Sequence, residues 1–215
     1  MSILEDLFQQ YQYIAEVILS KRYEEDLVKD LLGFIDKEFR GLINSDATKS
    51  IIPKEINQKM HVVTPCFVIA VYRALKDRVS HSISIDKLNE IMLEIFRDLV
   101  GSLAEMQKSR IKNASDKWKS FKETTIFGTE NTYSSFEPEF IQNDEKILKF
   151  HLNKCVFFEV FKVHDEQSIA TILCNYDQIF AEAVEEWIFF TRPKIIAEGD
   201  DLCEFCYKFI AENNK

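Results

Sequence analysis

Apolar residues recur every three or four positions at the start of the chain. Ile3, Leu4, Leu7, Phe8, Tyr11, Ile14, Ala15 and Ile18 mark one helical face, with Ser2 placed as its N-cap. Leu27, Leu31, Phe34, Ile35 and Phe39 repeat the pattern between Tyr23 and Ile43, which predicts a helical hairpin whose stripes pack a core. Asn44 to Lys59 is polar, holds Pro53, keeps no period and reads as a loop. Thr64-Pro65 predicts the start of a helix running through CFVIAVYRALKDRV, apolar nearly all round at first and therefore central. A further helix begins at Ser84, carries Leu88, Ile91, Met92, Ile95, Phe96 and Leu99 inward, and extends past Gly101 toward Ile111. The pattern then fades; Trp118 and Phe121 leave room for a short helix, but residues 115–144 are expected to be an irregular loop, either a lid or binding element or a plain surface excursion.

Period two takes over at Lys146–Lys154, with Leu148, Phe150 and Leu152 on one face and Lys149, His151 and Asn153 on the other. A short helix from Val156 to Val163 follows, then a longer one capped by Ser168. Two β-prone runs, Trp187–Ala197 and Asp201–Ala211, flank Glu198-Gly199-Asp200 and read as a hairpin. Pro193 places a bulge or an edge inside the first of them. The expectation is a single α+β domain over 1–215. A helical N-terminal two-thirds (1–114 its mainly helical part) packs on a small antiparallel sheet with helices in the cysteine-containing C-terminal third, 145–215.

Composition narrows the function. A net charge of −9 disfavours nucleic-acid binding, which needs a cationic face, but leaves room for a small anionic substrate held by one Arg or Lys. No uncharged run approaches a membrane span of ~20 residues. The N-terminus is acidic and amphipathic, unlike a signal peptide, and five cysteines without dense spacing suit a reducing cytoplasm. The acidic, phenylalanine-rich composition is compatible with a homodimer, although no heptad seam marks one.

The chemistry-bearing residues lie mostly in the last sixty-odd positions. In an unbroken helix from Ser168, Cys174 and Asp177 share a face, and a carboxylate among Leu173, Phe180 and Val184 calls for a cation or a groove. Arg192, on a strand face with Ile188, Phe190 and Ile196, is the natural partner. The pair reads either as a structural clasp or as a carboxylate receptor (Arg192) beside a base or orienting group (Asp177). Cys155, between a strand and a short helix, is the best-placed nucleophile, with His151 four residues back on the same strand face. Cys203 and Cys206, three apart in a strand, face opposite sides and make a poor C-x-x-C site. No cofactor is required. A divalent metal such as zinc, gathered by Cys155, Cys174 and Cys203 near His151, is the alternative to thiol chemistry.

HLNKCVFFEVFK, ILCNYDQ and FFTRPKIIAEGDDLCEF, with Cys155, Cys174, Asp177, Arg192, Gly199, Asp200, Cys203 and Phe205, together resemble the L-2-amino-thiazoline-4-carboxylic acid hydrolase family. PCFVIAVYRALKD resembles that family's central helix, so the likeness covers about two-thirds of the chain. The resemblance implies a small-molecule hydrolase that opens a cyclic amidine, at a C–N or C–S bond, to a carbamoyl-cysteine. Fitted to that chemistry, Cys155, Asp177 and Cys174 are the expected catalytic residues, and Arg192, Cys203 and His151 the expected substrate-binding ones. Two other readings stand beside it: a non-catalytic small-molecule-binding or sensor domain using the same cysteine-lined pocket, and a helical interaction protein whose cysteines only pack.

Overall fold

The computed structural model describes residues 3–210, which form two compact units, the first made of 3–99 and 156–175 and the second of 100–155 and 176–210. The fold is α+β, with eight α-helices and one four-stranded antiparallel sheet among the described residues. The expected cap at Ser2 and the end of the last strand run at Ala211 lie outside the described residues. Among those residues, no helix is long and apolar enough to cross a membrane.

The first unit is helical. α1 (Ile3–Ser20) and α2 (Glu25–Asn44) form the expected hairpin and pack with α4 (Val63–Arg78). α4 buries every residue from Val63 to Val71, because it is enclosed on all sides. Phe8 and Phe39 stack with ring centroids 3.8 Å apart, and Phe67 stacks on Tyr11 at 4.7 Å. Thr64 does not cap α4 as its position suggested. Its hydroxyl shares a 2.8 Å hydrogen bond with the buried Tyr11 phenol, so each satisfies the other inside the core.

The polar stretch 44–59, expected to be a loop, contains α3 (Asp46–Ile51) and enters a 3₁₀ turn at Ile56–Val62. The Ser45 hydroxyl caps α3 by accepting from the Thr48 N–H at 3.1 Å, a local signal that overrides the missing period. α7 (Val156–Val163) and a 3₁₀ helix, Gln167–Cys174, complete the unit.

α5 (Ile85–Lys112) begins in the first unit and continues as the first helix of the second. Residues 115–144 correct the expectation of an irregular loop. They hold α6 (Lys117–Asn131), a 3₁₀ turn and the edge strand β1 (Pro138–Asn143). Asp116 caps α6, its carboxylate accepting from the Lys119 N–H at 2.8 Å, while Trp118, Phe121 and Thr129 turn inward.

β2 (Ile147–Leu152), β3 (Ile188–Lys194) and β4 (Cys203–Phe209) complete the sheet in the order β1-β2-β4-β3. Leu148, Phe150 and Leu152 are buried in alternation, as period two requires. The β3–β4 ladder pairs Thr191 with Cys206 and Lys194 with Glu204, so Arg192 and Pro193 together span the place of Phe205. This is the bulge that Pro193 foretold. The hairpin turns through Gly199, whose φ of 105° suits glycine.

The helix expected from Ser168 is two elements. Its first part is the 3₁₀ turn Gln167–Cys174, and only then does α8 (Asn175–Val184) begin. The single helix assumed to carry both Cys174 and Asp177 is thus replaced by two elements, with Cys174 ending the first and Asp177 in the first turn of the second.

Candidate functional site

The inner face of the sheet is aromatic. Phe150 and Phe205 are cross-strand partners and stack at 5.0 Å, almost parallel. Tyr207 extends the layer, with Phe190 stacked on it at 4.9 Å. α8, α5 and α6 supply further walls, and the second unit holds a cavity of about 400 Å³ that is open to solvent on one side. Phe150, Leu152, Phe180, Phe205 and Tyr207 line it, joined by Leu103, Met106 and Arg110 of α5 and by Thr124, Thr125 and Thr129 of α6. Leu103, Met106 and Arg110 are exposed and form the rim. The volume and the mixed apolar and polar lining match small-molecule sites, which run ~300–1,000 Å³.

Asp177 is the carboxylate of this cavity wall. One of its oxygens accepts a hydrogen bond from an Arg192 Nη, in an ion pair that ties α8 to the bulged strand. The Arg192 guanidinium also lies over the Phe205 ring, 5.5 Å from its centroid. The side chain of Arg192 is only 12% exposed, whereas that of Asp177 is 39% exposed where it lines the cavity.

Desolvation in this recess pushes the Asp177 carboxyl above the usual carboxylate range, against the pull of Arg192. The same desolvation, reinforced by the negative Asp177, raises the phenols of Tyr133 and Tyr207 well above their ordinary range. Both therefore stay protonated and keep an O–H to donate.

The other expected site residues fall elsewhere. Cys203 is buried under the hairpin turn, where its Sγ accepts from the Ile196 N–H at 3.3 Å, and burial pushes its thiol up. His151 lies on the outer face of the sheet, its Nε2 3.1 Å from the Glu204 carboxylate, which also bonds Lys149 at 2.8 Å. Those contacts, Lys149 first, hold Glu204 below the usual carboxylate range.

Cys155 is half-buried and immediately precedes α7, while Cys174 ends the 3₁₀ turn of the first unit. Among the described residues of the second unit, neither Cys155, Cys203, Cys206 nor His151 lines the cavity. Cys66, packed in α4, is pushed up to about 12 by burial and is a structural thiol. Among the described residues, no three His, Cys, Asp or Glu side chains converge as metal ligands, which does not fit the cysteine-built zinc site raised by the sequence.

The sequence pointed to Asp177 and Arg192, which the structure pairs, and not to Arg110, Tyr133, Tyr207 or Thr129, which line the cavity with Asp177. Leu103 and Met106, about two turns and one turn before Arg110, are apolar yet exposed beside the cavity, a sign that only the structure reveals. A larger hollow of about 570 Å³ is a surface groove of exposed Glu182, Glu185, Glu186 and Phe189. It gathers charge of one sign and no acid–base pair.

A family model described as L-2-amino-thiazoline-4-carboxylic acid hydrolase matches residues 59–207. No curated protein and no solved structure matches the chain. The matched span covers more than half of the chain and includes every residue of the cavity wall together with Arg192, so the chain belongs to the L-2-amino-thiazoline-4-carboxylic acid hydrolase family.

Proposed function

We propose that the chain is a hydrolase that opens a cyclic amidine, with the cavity of the second unit as its active site and Asp177 as its base. The observation that supports this reading is a single carboxylate on the wall of an aromatic cavity, held by Arg192, with two tyrosine phenols on the same wall. An amidine offers N–H donors to a carboxylate and a flat face to aromatic rings.

In this mechanism water adds to the amidine carbon and gives a proton to Asp177, which passes it to the ring nitrogen. The tetrahedral intermediate then collapses. Its hydroxyl becomes the urea carbonyl, the C–S bond breaks, and sulfur leaves with the bonding electron pair and takes the second proton of water through Asp177. The product carries a carbamoyl group and a free thiol, and water and the amidine are fully accounted for. Arg192 positions Asp177, Arg110 at the rim receives the substrate carboxylate, and a phenol of Tyr133 or Tyr207 hydrogen-bonds the tetrahedral oxygen.

The test is incubation with 2-amino-thiazoline-4-carboxylate, following the carbamoyl-cysteine product by NMR. Asp177→Asn should lower turnover by about 10²–10⁴-fold, the range for loss of a general base. Cys155→Ala should retain turnover. Loss of turnover in Cys155→Ala with unchanged stability would return the attack to that thiol. A non-catalytic binding module is the second reading, favoured by the lack of a thiol on the cavity wall among the described residues. Binding of the compound without product formation would select it.

A further inference from the structure

The cavity is larger than the ring it is proposed to act on. An aminothiazoline carboxylate has nine non-hydrogen atoms, and at about 20 Å³ for each in a close-packed environment it fills roughly half of the space. The available volume is about 400 Å³. Asp177, Tyr133 and Tyr207 supply polar groups for the small ring, with Arg110 at the rim. Much of the remaining lining is apolar: Phe150, Leu152, Phe180 and Phe205, with Leu103 and Met106 at the rim. Water gains few hydrogen bonds against such a surface, and apolar cavities favour apolar occupants. Phe150 and Phe205, stacked on each other and parallel within 5°, hold this part of the apolar lining in a fixed arrangement.

We infer that the preferred substrate is an amidine-type heterocycle carrying an apolar, ring-sized substituent, with the amidine at Asp177 and the substituent along the Phe150–Phe205 surface. This inference rests on the hydrolase reading for the reaction, but the size and character of the ligand follow from the cavity itself.

Unmodified protein tests it. Calorimetric titration with benzamidine, acetamidine and benzamide separates the aromatic and amidinium contributions. Benzamidine should bind at least tenfold more tightly than acetamidine, through its ring, and more tightly than benzamide, through its N–H groups at Asp177. Turnover is then compared between 2-amino-thiazoline-4-carboxylate and its phenyl-substituted analogue, with at least tenfold higher kcat/KM expected for the latter. Equal affinities of benzamidine and acetamidine, with the small ring turned over at least as well, would overturn the inference and leave the hydrolase reading standing. Tight benzamidine binding without turnover of either heterocycle would uphold the cavity's preference and remove the hydrolase reading. No binding of any probe and no turnover would remove both.

Discussion

The two units use aromatic residues in opposite ways. In the first, Phe8 stacks on Phe39 and Phe67 on Tyr11 inside the core, and α4 is buried from Val63 to Val71. In the second, Phe150, Phe205 and Tyr207 also stack, but over a hollow of about 400 Å³. The first arrangement turns apolar area into stability through dense packing. The second leaves part of that gain unrealised, and a ligand can supply it. Fold-making and cavity-lining aromatics are distinguished here by whether open space borders the ring.

Paired truncations test that contrast most strongly. Phe67→Ala should destabilise by about 3–5 kcal/mol, because a sealed core cannot close over the lost ring. Phe205→Ala should cost roughly half as much, because the space it leaves joins a hollow that already admits solvent. Denaturant unfolding of both variants gives the comparison, and equal losses would show that the cavity wall is packed as tightly as the core.

A pH series sharpens it further. Since the folded protein holds the Asp177 proton above the usual carboxylate range, it binds more protons than the unfolded chain between the ordinary and the raised pKa. Asp177 therefore makes stability fall as pH rises through that window, while turnover, which needs the carboxylate, rises through the raised value. The acid limb of kcat/KM should lie above the ordinary carboxylate range. A limb at or below that range would contradict Asp177 as the base.

The smallest effect belongs to the first unit's surface. Lys29 and Glu25 pair at i,i+4 while mostly exposed. Lys29→Ala should change stability by less than about 0.5 kcal/mol in the same unfolding assay.

The sequence made the filled unit more legible than the hollow one. Helical stripes identified α1, α2, α4 and α5, because each buries a continuous face. Alternation at Leu148, Phe150 and Leu152 identified β2, and Pro193 marked the bulge. α6 was missed because its apolar stripe is short and its interior carries Thr124, Thr125 and Thr129, although the Asp116 cap was there to be read.

The Asp177–Arg192 pair was legible because a lone charge on an apolar stretch demands a partner. The cavity was not. A void leaves no period, and its lining comes from segments as distant in sequence as Leu103 and Tyr207.

The bulge in β3 has one more consequence, concerning chain length. Thr191 pairs with Cys206 and Lys194 with Glu204, and the two residues between them share one opposing position, held by Phe205. Deleting Pro193 would therefore preserve every flanking pair and leave Arg192 opposite Phe205 in an unbroken ladder. Most strands cannot lose a residue without moving the side chains beyond it to the other face. This one carries a residue that can be edited out while the pairing on both sides stays in register.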